Sequence, residues 1–271
     1  MKKFKLGIIG AGFVGSSVEK GFNRDIEKFV VDPKLNKNSI NELVNNFLPP
    51  LLFICVPTPE EDNGDVDVSV VHIILQELAE LKYEGVTVIK STITPQHLAK
   101  FQTHFTNLKI VYNPEFLTEA NAHKDFLNPH MQILGGKWED CELVEKIYIK
   151  HSSVKVVPTF KTDLATASIL KYTINSFLAT KVTFFNELFD LLQVSNTETE
   201  WGSFVDMLTR DPRIGASHIK VPGPDGKFGF GGHCFPKDTK ALLYYANKMG
   251  VDLTVLRKAI NTNNVHRKKE L

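Results

Sequence analysis

The chain runs from a short apolar stretch, Phe4–Ile9, straight into Gly10-Ala-Gly12-Phe13-Val14-Gly15, and then into a helical pattern reaching about Phe22. A strand covered on both faces reads as such an unbroken apolar run. The three glycines meet three separate needs. Gly10 permits a tight turn, Gly12 lets a phosphate approach the backbone, and Gly15 lets helix and strand pack closely. The N-terminus of the helix then faces an anion. A second strand at 28–31 ends at Asp32. A carboxylate there accepts hydrogen bonds from an adenosine ribose and repels a 2′-phosphate, so the expected cofactor is NAD rather than NADP.

The pattern repeats. Ser39 and Glu42 form a capping box for a short helix. Residues 51–56 make an apolar strand that ends at Val56 and exits through Pro57-Thr58-Pro59. Residues 60–65 read as a polar turn. Residues 66–81 carry helical spacing at Val70, Ile73, Ile74, Leu78 and Leu81. Strand 86–89 leads into Lys90, Ser91 and Thr92, and Thr94 with Pro95 opens another helix. Strand 109–112 runs into Asn113, Glu115, Phe116, Leu117 and Glu119. Strands at 131–134 and 154–157 follow, ending at Gly135-Gly136 and Pro158. Strands alternating with helices predict an α/β fold, a Rossmann-type doubly wound parallel sheet. Ligands of such sheets lie at the carboxyl ends of the strands, where Thr58, Ser91, Thr92, Glu115 and Glu119 fall. Loop polars of this kind are either ligand contacts or solvated and capping groups.

Beyond Pro158 the pattern becomes all helical, which predicts two domains, 1–158 and 159–271. Asp163 caps a long helix to about Leu192, with apolar residues at Leu170, Ile174, Phe177, Leu178, Phe185, Leu188, Phe189 and Leu192. Lys171 and Asn175 lie four apart beside that stripe, either as boundary residues or as donors converging on a pocket. Residues 201–208 form a further helix, 211–215 a turn, and 238–249 and 251–264 the last two helices. Between them stands FGFGGHCFPKDTK, residues 228–240. Its glycines allow positive φ and close backbone approach. Pro236 suits a first helical position, which sets Cys234 just before a helix N-terminus, where the dipole favours a thiolate. Lys237 and Asp238 lie close enough in sequence to tune it.

Composition narrows the class. Net charge is +1 and charged residues make up 23% of the chain, so nothing points to a nucleic acid or a membrane surface. The basic run Arg267, Lys268, Lys269 reads as a solvated tail. Cys55, Cys141 and Cys234 fit neither a disulfide framework nor a zinc pattern, and a reducing cytoplasm is the expected setting. The basic N-terminus leads into a glycine motif rather than a cleavage site, so it is read as the first strand and not as a signal peptide.

Seven blocks, GIIGAGFVG, FICVPTP, KSTITP, NPEFLTEANAHKDF, KYTINSFLATKVTFFNE, DPRIG and GFGGHCFPKDTKAL, closely resemble, in order, those of the UDP-glucose/GDP-mannose dehydrogenase family. Members of that family oxidise a sugar C6 alcohol to a carboxylate with two NAD. The resemblance implies that Cys234 attacks the aldehyde, that Lys171 and Asn175 stabilise the oxyanion, and that Asp238 orders a water. Glu119 and Thr92 would handle protons and water near C6. Gly10, Gly12, Phe13, Val14, Gly15, Asp32, Val56, Pro57, Thr58, Ser91, Thr92 and Lys237 would form the NAD site. Glu115, Phe116, Leu117, Lys171, Asn175, Phe228 and Gly231 would line the nucleotide-sugar site. Arg213 resembles the arginine that reaches a neighbouring subunit's substrate, which implies a homodimer through the helical domain.

The family continues into a second α/β domain, and this chain ends at Leu271, where the helix linking to that domain begins. Contacts to the nucleotide base and part of the diphosphate are therefore expected to be missing, giving weak binding or a partner that supplies the wall. Residues 221–227 make a longer approach to the glycine loop than is usual in the family. UDP-glucose is the expected substrate. GDP-mannose or UDP-N-acetylmannosamine is the alternative, and a catalytically weak NAD-binding subunit that needs a partner is another.

Overall fold

The computed structural model describes residues 3–35, 38–118 and 121–269. The chain forms two compact units, one of Met1–Glu61 with Val66–Lys171 and the other of Asp62–Asp65 with Tyr172–Leu271.

The first unit is built on β1 (Phe4–Ile9), β2 (Ile26–Val31), β3 (Leu51–Ile54), β4 (Val86–Ile89), β5 (Lys109–Tyr112), β6 (Gln132–Gly136) and β7 (Thr159–Thr162). They form one sheet in the order β2-β1-β3-β4-β5-β6-β7. Between them run α1 (Phe13–Gly21), α2 (Ile40–Glu42), α3 (Ser69–Glu80), α4 (Pro95–His104), α5 (Ala122–Leu127) and α6 (Trp138–His151). Successive strand residues point to opposite faces, and both faces are covered. Ile9, Leu52, Ile54 and Ile89 pack with α3 and α4. Leu6, Ile8, Leu51, Phe53 and Val88 pack with α1, α5 and α6. Each such side chain removed fully from water contributes about 1.5–3 kcal/mol. The Ser39–Glu42 capping box is present at α2. The exposed Trp138 opens α6, with Lys161 Nζ 5.0 Å from its ring centre.

Pairing is parallel from β2 through β5. β6 then runs antiparallel to β5, and β7 parallel to β6, so the sheet is mixed rather than wholly parallel. A parallel return needs a crossover that recrosses the sheet. The helix available, α5, has 6 residues, about 9 Å at the usual rise.

The expected strand at 154–157 does not form. Val154 N–H bonds Ser152 Oγ and Lys155 N–H bonds the Leu127 carbonyl, which takes both from any ladder. The strand follows Pro158 instead, as β7.

The helix expected from residue 66 starts at Ser69, whose N–H is taken by the Asp67 carboxylate at 2.8 Å. Its buried face is Val71, Ile74, Leu75 and Leu78, while Val70 and Ile73 are exposed. Both sets have helical spacing, and spacing alone does not choose between them.

Among its described residues the regular elements of the second unit are all helices, most of α7 (Leu164–Val194), then α8 (Trp201–Leu208), α9 (Phe235–Lys248) and α10 (Thr254–His266), joined by loops. Asp163 caps α7, accepting from Thr166 N–H at 2.8 Å. On α7 the expected stripe holds in part: Phe185 is buried, and Ile174, Leu178, Leu188, Phe189 and Leu192 are partly buried. Leu170 and Phe177 are exposed, and the buried face includes Ser168, Lys171, Asn175, Ser176, Thr183 and Asn186. The core of the helical unit is Ala179, Phe230, Leu256 and Ile260, with Phe235, Leu242 and Leu253 packed against it. Trp201 of α8 meets Phe189 edge-on and stacks on Phe204.

Candidate functional site

In the sheet unit, strand order reverses at β1, between β2 and β3. Such a switch point opens a crevice at the carboxyl ends. Gly10 has φ +93, and a Cβ there would lie 2.7 Å from the Cys55 carbonyl. A Cβ at Gly15 would lie 1.8 Å from the Gly10 carbonyl, so helix and strand touch through that glycine. Gly12 faces open space: a Cβ there would meet nothing within 4 Å. Phe13 begins α1 and is exposed, Val14 packs on the core, and the first turn holds no acidic residue. Asp32 lies beside the loop, accepting from Ala11 N–H at 2.7 Å and Lys34 N–H at 2.9 Å. An open glycine, a helix N-terminus without a like charge and an adjacent carboxylate fit a dinucleotide.

The loops after β3 and β4 are tied together here. Ser91 Oγ donates to the Val56 carbonyl at 2.6 Å, and Thr58 Oγ1 donates to the Thr92 carbonyl at 2.8 Å. Pro57 between them is exposed, while Thr58 and Ser91 are buried. Thr94 takes the N-cap position of α4, with Pro95 after it, but makes no side-chain cap bond.

A cluster of buried groups lies at the ends of β4 and β5. Lys90 is 3% exposed, and its Nζ pairs with Glu115 at 2.8 Å and donates to Asn113 Oδ1 at 3.0 Å. Tyr148 OH donates to the same Asn113 oxygen at 2.8 Å. Burial is the largest single influence and pulls the Lys90 pKa down, but Glu115, Tyr148 and Cys55 together outweigh it, and the net shift is upward. Burial pushes Tyr148 up to about 12. Glu115 also accepts from Phe116 N–H at 2.9 Å. Its carboxylate, expected to line a sugar–nucleotide site, is engaged inside the fold. Phe116 packs on the α3/α4 side of the sheet and Leu117 on the other. Lys171 is buried, its Nζ 5.0 Å from the Phe116 ring centre. Glu119 lies outside the described residues.

In the helical unit the cysteine loop is an arch between two aromatic anchors, Phe230 and Phe235, whose rings meet edge-on at 6.3 Å. Cys234 takes the N-cap position of α9, with Pro236 in its first turn, and its side chain is exposed. Asp238 is 1% exposed. One of its oxygens accepts from the Asn175 amide at 2.6 Å, and the other pairs with Lys237 Nζ at 2.6 Å. Cys234, Lys237, Asp238 and Asn175 thus gather at one helix start. Lys237, expected at the cofactor, is committed here to Asp238.

Phe228 packs on Phe189, and Gly231 lies so near Arg267 that a Cβ would sit 2.8 Å from the guanidinium. Arg213 stays on the exposed turn after α8, its Nε 2.9 Å from Asp211 Oδ1, and among the described residues it does not join this group.

Asn186 and Asn263, both in these networks, drew no attention in the sequence. Asn186 accepts from Gly229 N–H at 2.9 Å, and Asn263 accepts from Phe230 N–H at 2.6 Å while donating to the Phe230 carbonyl at 3.1 Å. Arg267 pairs with Asp225 at 2.8 Å, and Lys269 pairs with Asp190, so the basic run is not a free tail. Asn263 left a signal: it continues the Leu256, Ala259, Ile260 spacing of the buried face of α10.

The NAD binding domain model of the UDP-glucose/GDP-mannose dehydrogenase family matches residues 17–152, and its central domain model matches residues 165–265. The chain is 33% identical over 243 residues to a UDP-glucose 6-dehydrogenase of Rickettsia felis, covering 84% of this chain and 51% of that protein. It is 35% identical over 232 residues to the Rickettsia conorii enzyme of that name, covering 82% and 50%. A UDP-glucose dehydrogenase from Pyrobaculum islandicum superposes with a TM-score of 0.78 at 22% identity, covering 97% of this chain and 68% of that one. A Mycobacterium tuberculosis 3-hydroxyisobutyrate dehydrogenase does so with 0.74 at 15% identity, covering 99% and 96%. These two likenesses show the fold alone. The chain spans about half the length of the curated relatives it matches. With both domain models matched in order, the chain belongs to the UDP-glucose/GDP-mannose dehydrogenase family and carries that family's NAD binding and central domains.

Proposed function

We propose that this chain carries the reaction centre of an NAD-dependent nucleotide-sugar 6-dehydrogenase that converts UDP-glucose to UDP-glucuronate. The observation that carries the reading is Cys234, an exposed thiol at the start of α9, with Asp238 buried one turn on and paired to Asn175. A simple alcohol dehydrogenase has no need of a nucleophilic thiol. A four-electron oxidation must hold its aldehyde between two hydride transfers, and a thiol does that.

Gly10, Gly12, Gly15, Asp32 and the Val56–Thr58 loop hold the cofactor. NAD, when bound, accepts one hydride in each oxidation. Cys234 Sγ adds to the aldehyde carbon and gives a thiohemiacetal. Loss of the second hydride leaves a thioester. Water adds to it, the carbon–sulfur bond breaks, and the carboxylate leaves with the thiolate restored. Lys171 and the second amide hydrogen of Asn175 donate to the oxyanion of the tetrahedral species. Asp238 orders the water, and Thr92 with Glu119 serves proton movement at C6.

The exposed Phe177, Phe184 and Leu191, seven apart on α7, support a homodimer through the helical domain, with Arg213 turned to the neighbour's substrate. A thiol nucleophile and cysteines outside any disulfide suit a reducing cytoplasm.

The test is NADH formation from purified protein, NAD and UDP-glucose, followed to completion. The reading expects two NADH per sugar, and Cys234→Ser is expected to abolish formation of the carboxylate. One NADH per sugar, or activity unchanged in Cys234→Ser, overturns it. GDP-mannose and UDP-N-acetylmannosamine in parallel reactions identify the sugar.

A further inference from the structure

We propose that Lys90 and Glu115 are positioning residues that set the place of Lys171 through Phe116, an inference that rests on the role given to Lys171 above. Lys90 is 3% exposed at the end of β4 and takes its place from three directions. Asn113 accepts from it through both its side chain, at 3.0 Å, and its backbone carbonyl, at 3.3 Å. Tyr148 of α6 lies 3.4 Å away, and Glu115 closes the shell at 2.8 Å. Asn113 is itself fixed, because its amide donates to the Ile133 carbonyl of β6 at 2.9 Å. The ammonium is therefore a fixed point built from β4, β5, β6 and α6.

Glu115 carries that point outward. One carboxylate oxygen holds Lys90, and the other accepts from Phe116 N–H at 2.9 Å. A side chain bonded to the next residue's N–H restricts the backbone between them. It thus aims the Phe116 side chain, whose ring centre lies 5.0 Å from Lys171 Nζ. An ammonium facing an aromatic ring is held by the ring's negative face. Without Glu115, Phe116 loses its anchor and Lys171 its platform.

The decisive variant is Glu115→Gln, which keeps the shape but removes the charge that ties residue 115 to Lys90, so that the acceptor of Phe116 N–H loses its fixed point. The double variant Lys90→Met with Glu115→Gln removes both charges, so that no lone charge stays buried. Hydrogen exchange by mass spectrometry is expected to rise in the peptide holding residues 116–118 and to stay at the parent value in β1 and β4. Turnover is expected to fall roughly 10-fold to 100-fold, as misplacement of a reacting group does, with KM for NAD unchanged. Exchange unchanged at 116–118, or raised over the whole sheet unit, overturns the proposal. The exchange readout needs neither NAD nor sugar, so it decides even if the parent protein yields no NADH, an outcome that would sink the proposed function alone.

Discussion

Asn175 on α7 donates its side-chain amide to Asp238 in the first turn of α9, 2.6 Å away. With Lys237 on its other oxygen, both Asp238 oxygens are engaged inside the fold, and each keeps a second lone pair for a water. Asp238→Ala leaves a buried amide without its acceptor and is expected to lower stability by about 1–3 kcal/mol, measured by urea denaturation. Asp238→Asn retains an acceptor for Asn175, costs less stability, and is expected to slow NADH formation roughly 100-fold through the disordered water. Equal stability losses in the two variants would contradict this account.

The three thiols separate by environment. Burial pushes Cys55 up to about 12 and Cys141 up to about 11, so neither forms thiolate near pH 8. Cys234 is exposed at the start of a helix. One equivalent of a thiol reagent is expected to react with the native protein at pH 8, and three after denaturation. Peptide mapping should place the first label on Cys234.

Gly12 and Gly15 are three residues apart and should respond in opposite ways. Gly12 has open space around it and φ −69, which any residue adopts. Gly12→Ala is expected to keep the parent melting temperature while weakening NAD binding, because the methyl occupies the path of the phosphate. Gly15→Ala drives a methyl onto the Gly10 backbone and is expected to lower the melting temperature by itself. Thermal melts with and without NAD distinguish the two effects.

His266 predicts a pH dependence. It is 3% exposed, and neither ring nitrogen has a hydrogen-bond partner among the described residues. Its pKa is lowered, chiefly by burial and then by Lys269, although Asp190 opposes the shift. A lowered folded-state pKa in a histidine means that the unfolded chain binds more protons between the two values. Stability is then complete above the unfolded value, about 6.5, and falls as pH drops below it. Denaturation midpoints at neutral and mildly acid pH should show this loss, and His266→Gln should flatten it.

Much of the sheet unit was legible because its signals are local. The glycine fingerprint, the apolar strands and the prolines each act within a few residues, and β1, β4 and β5 form where the sequence places them. The direction of β6 was not legible, since alternation and length look alike in either sense. The edges of the buried faces of α3 and α7, where Val70, Ile73, Leu170 and Phe177 turn out exposed, were hidden for a similar reason: several apolar sets share one helical period, and only the packing partner chooses among them.

The placement of Cys234 at a helix start followed from Pro236 and the glycines. The clamps on its loop did not, because Asn186 and Asn263 lie 43 and 33 residues from the backbone groups they hold. Lys90 was likewise read only as part of a polar strand exit. Its value as a buried cation depends on Glu115, 25 residues later, and on Tyr148, 58 residues later.

The two tryptophans give each unit its own optical reporter. The sequence holds only Trp138 and Trp201, the first exposed on α6 of the sheet unit and the second half-buried among aromatic rings in the helical unit. With Trp138→Phe or Trp201→Phe, the remaining emission follows one unit at a time. Denaturation curves from the two variants then reveal whether the NAD-binding fold and the cysteine-bearing fold melt together or in sequence, and ligand titrations show which of them responds first.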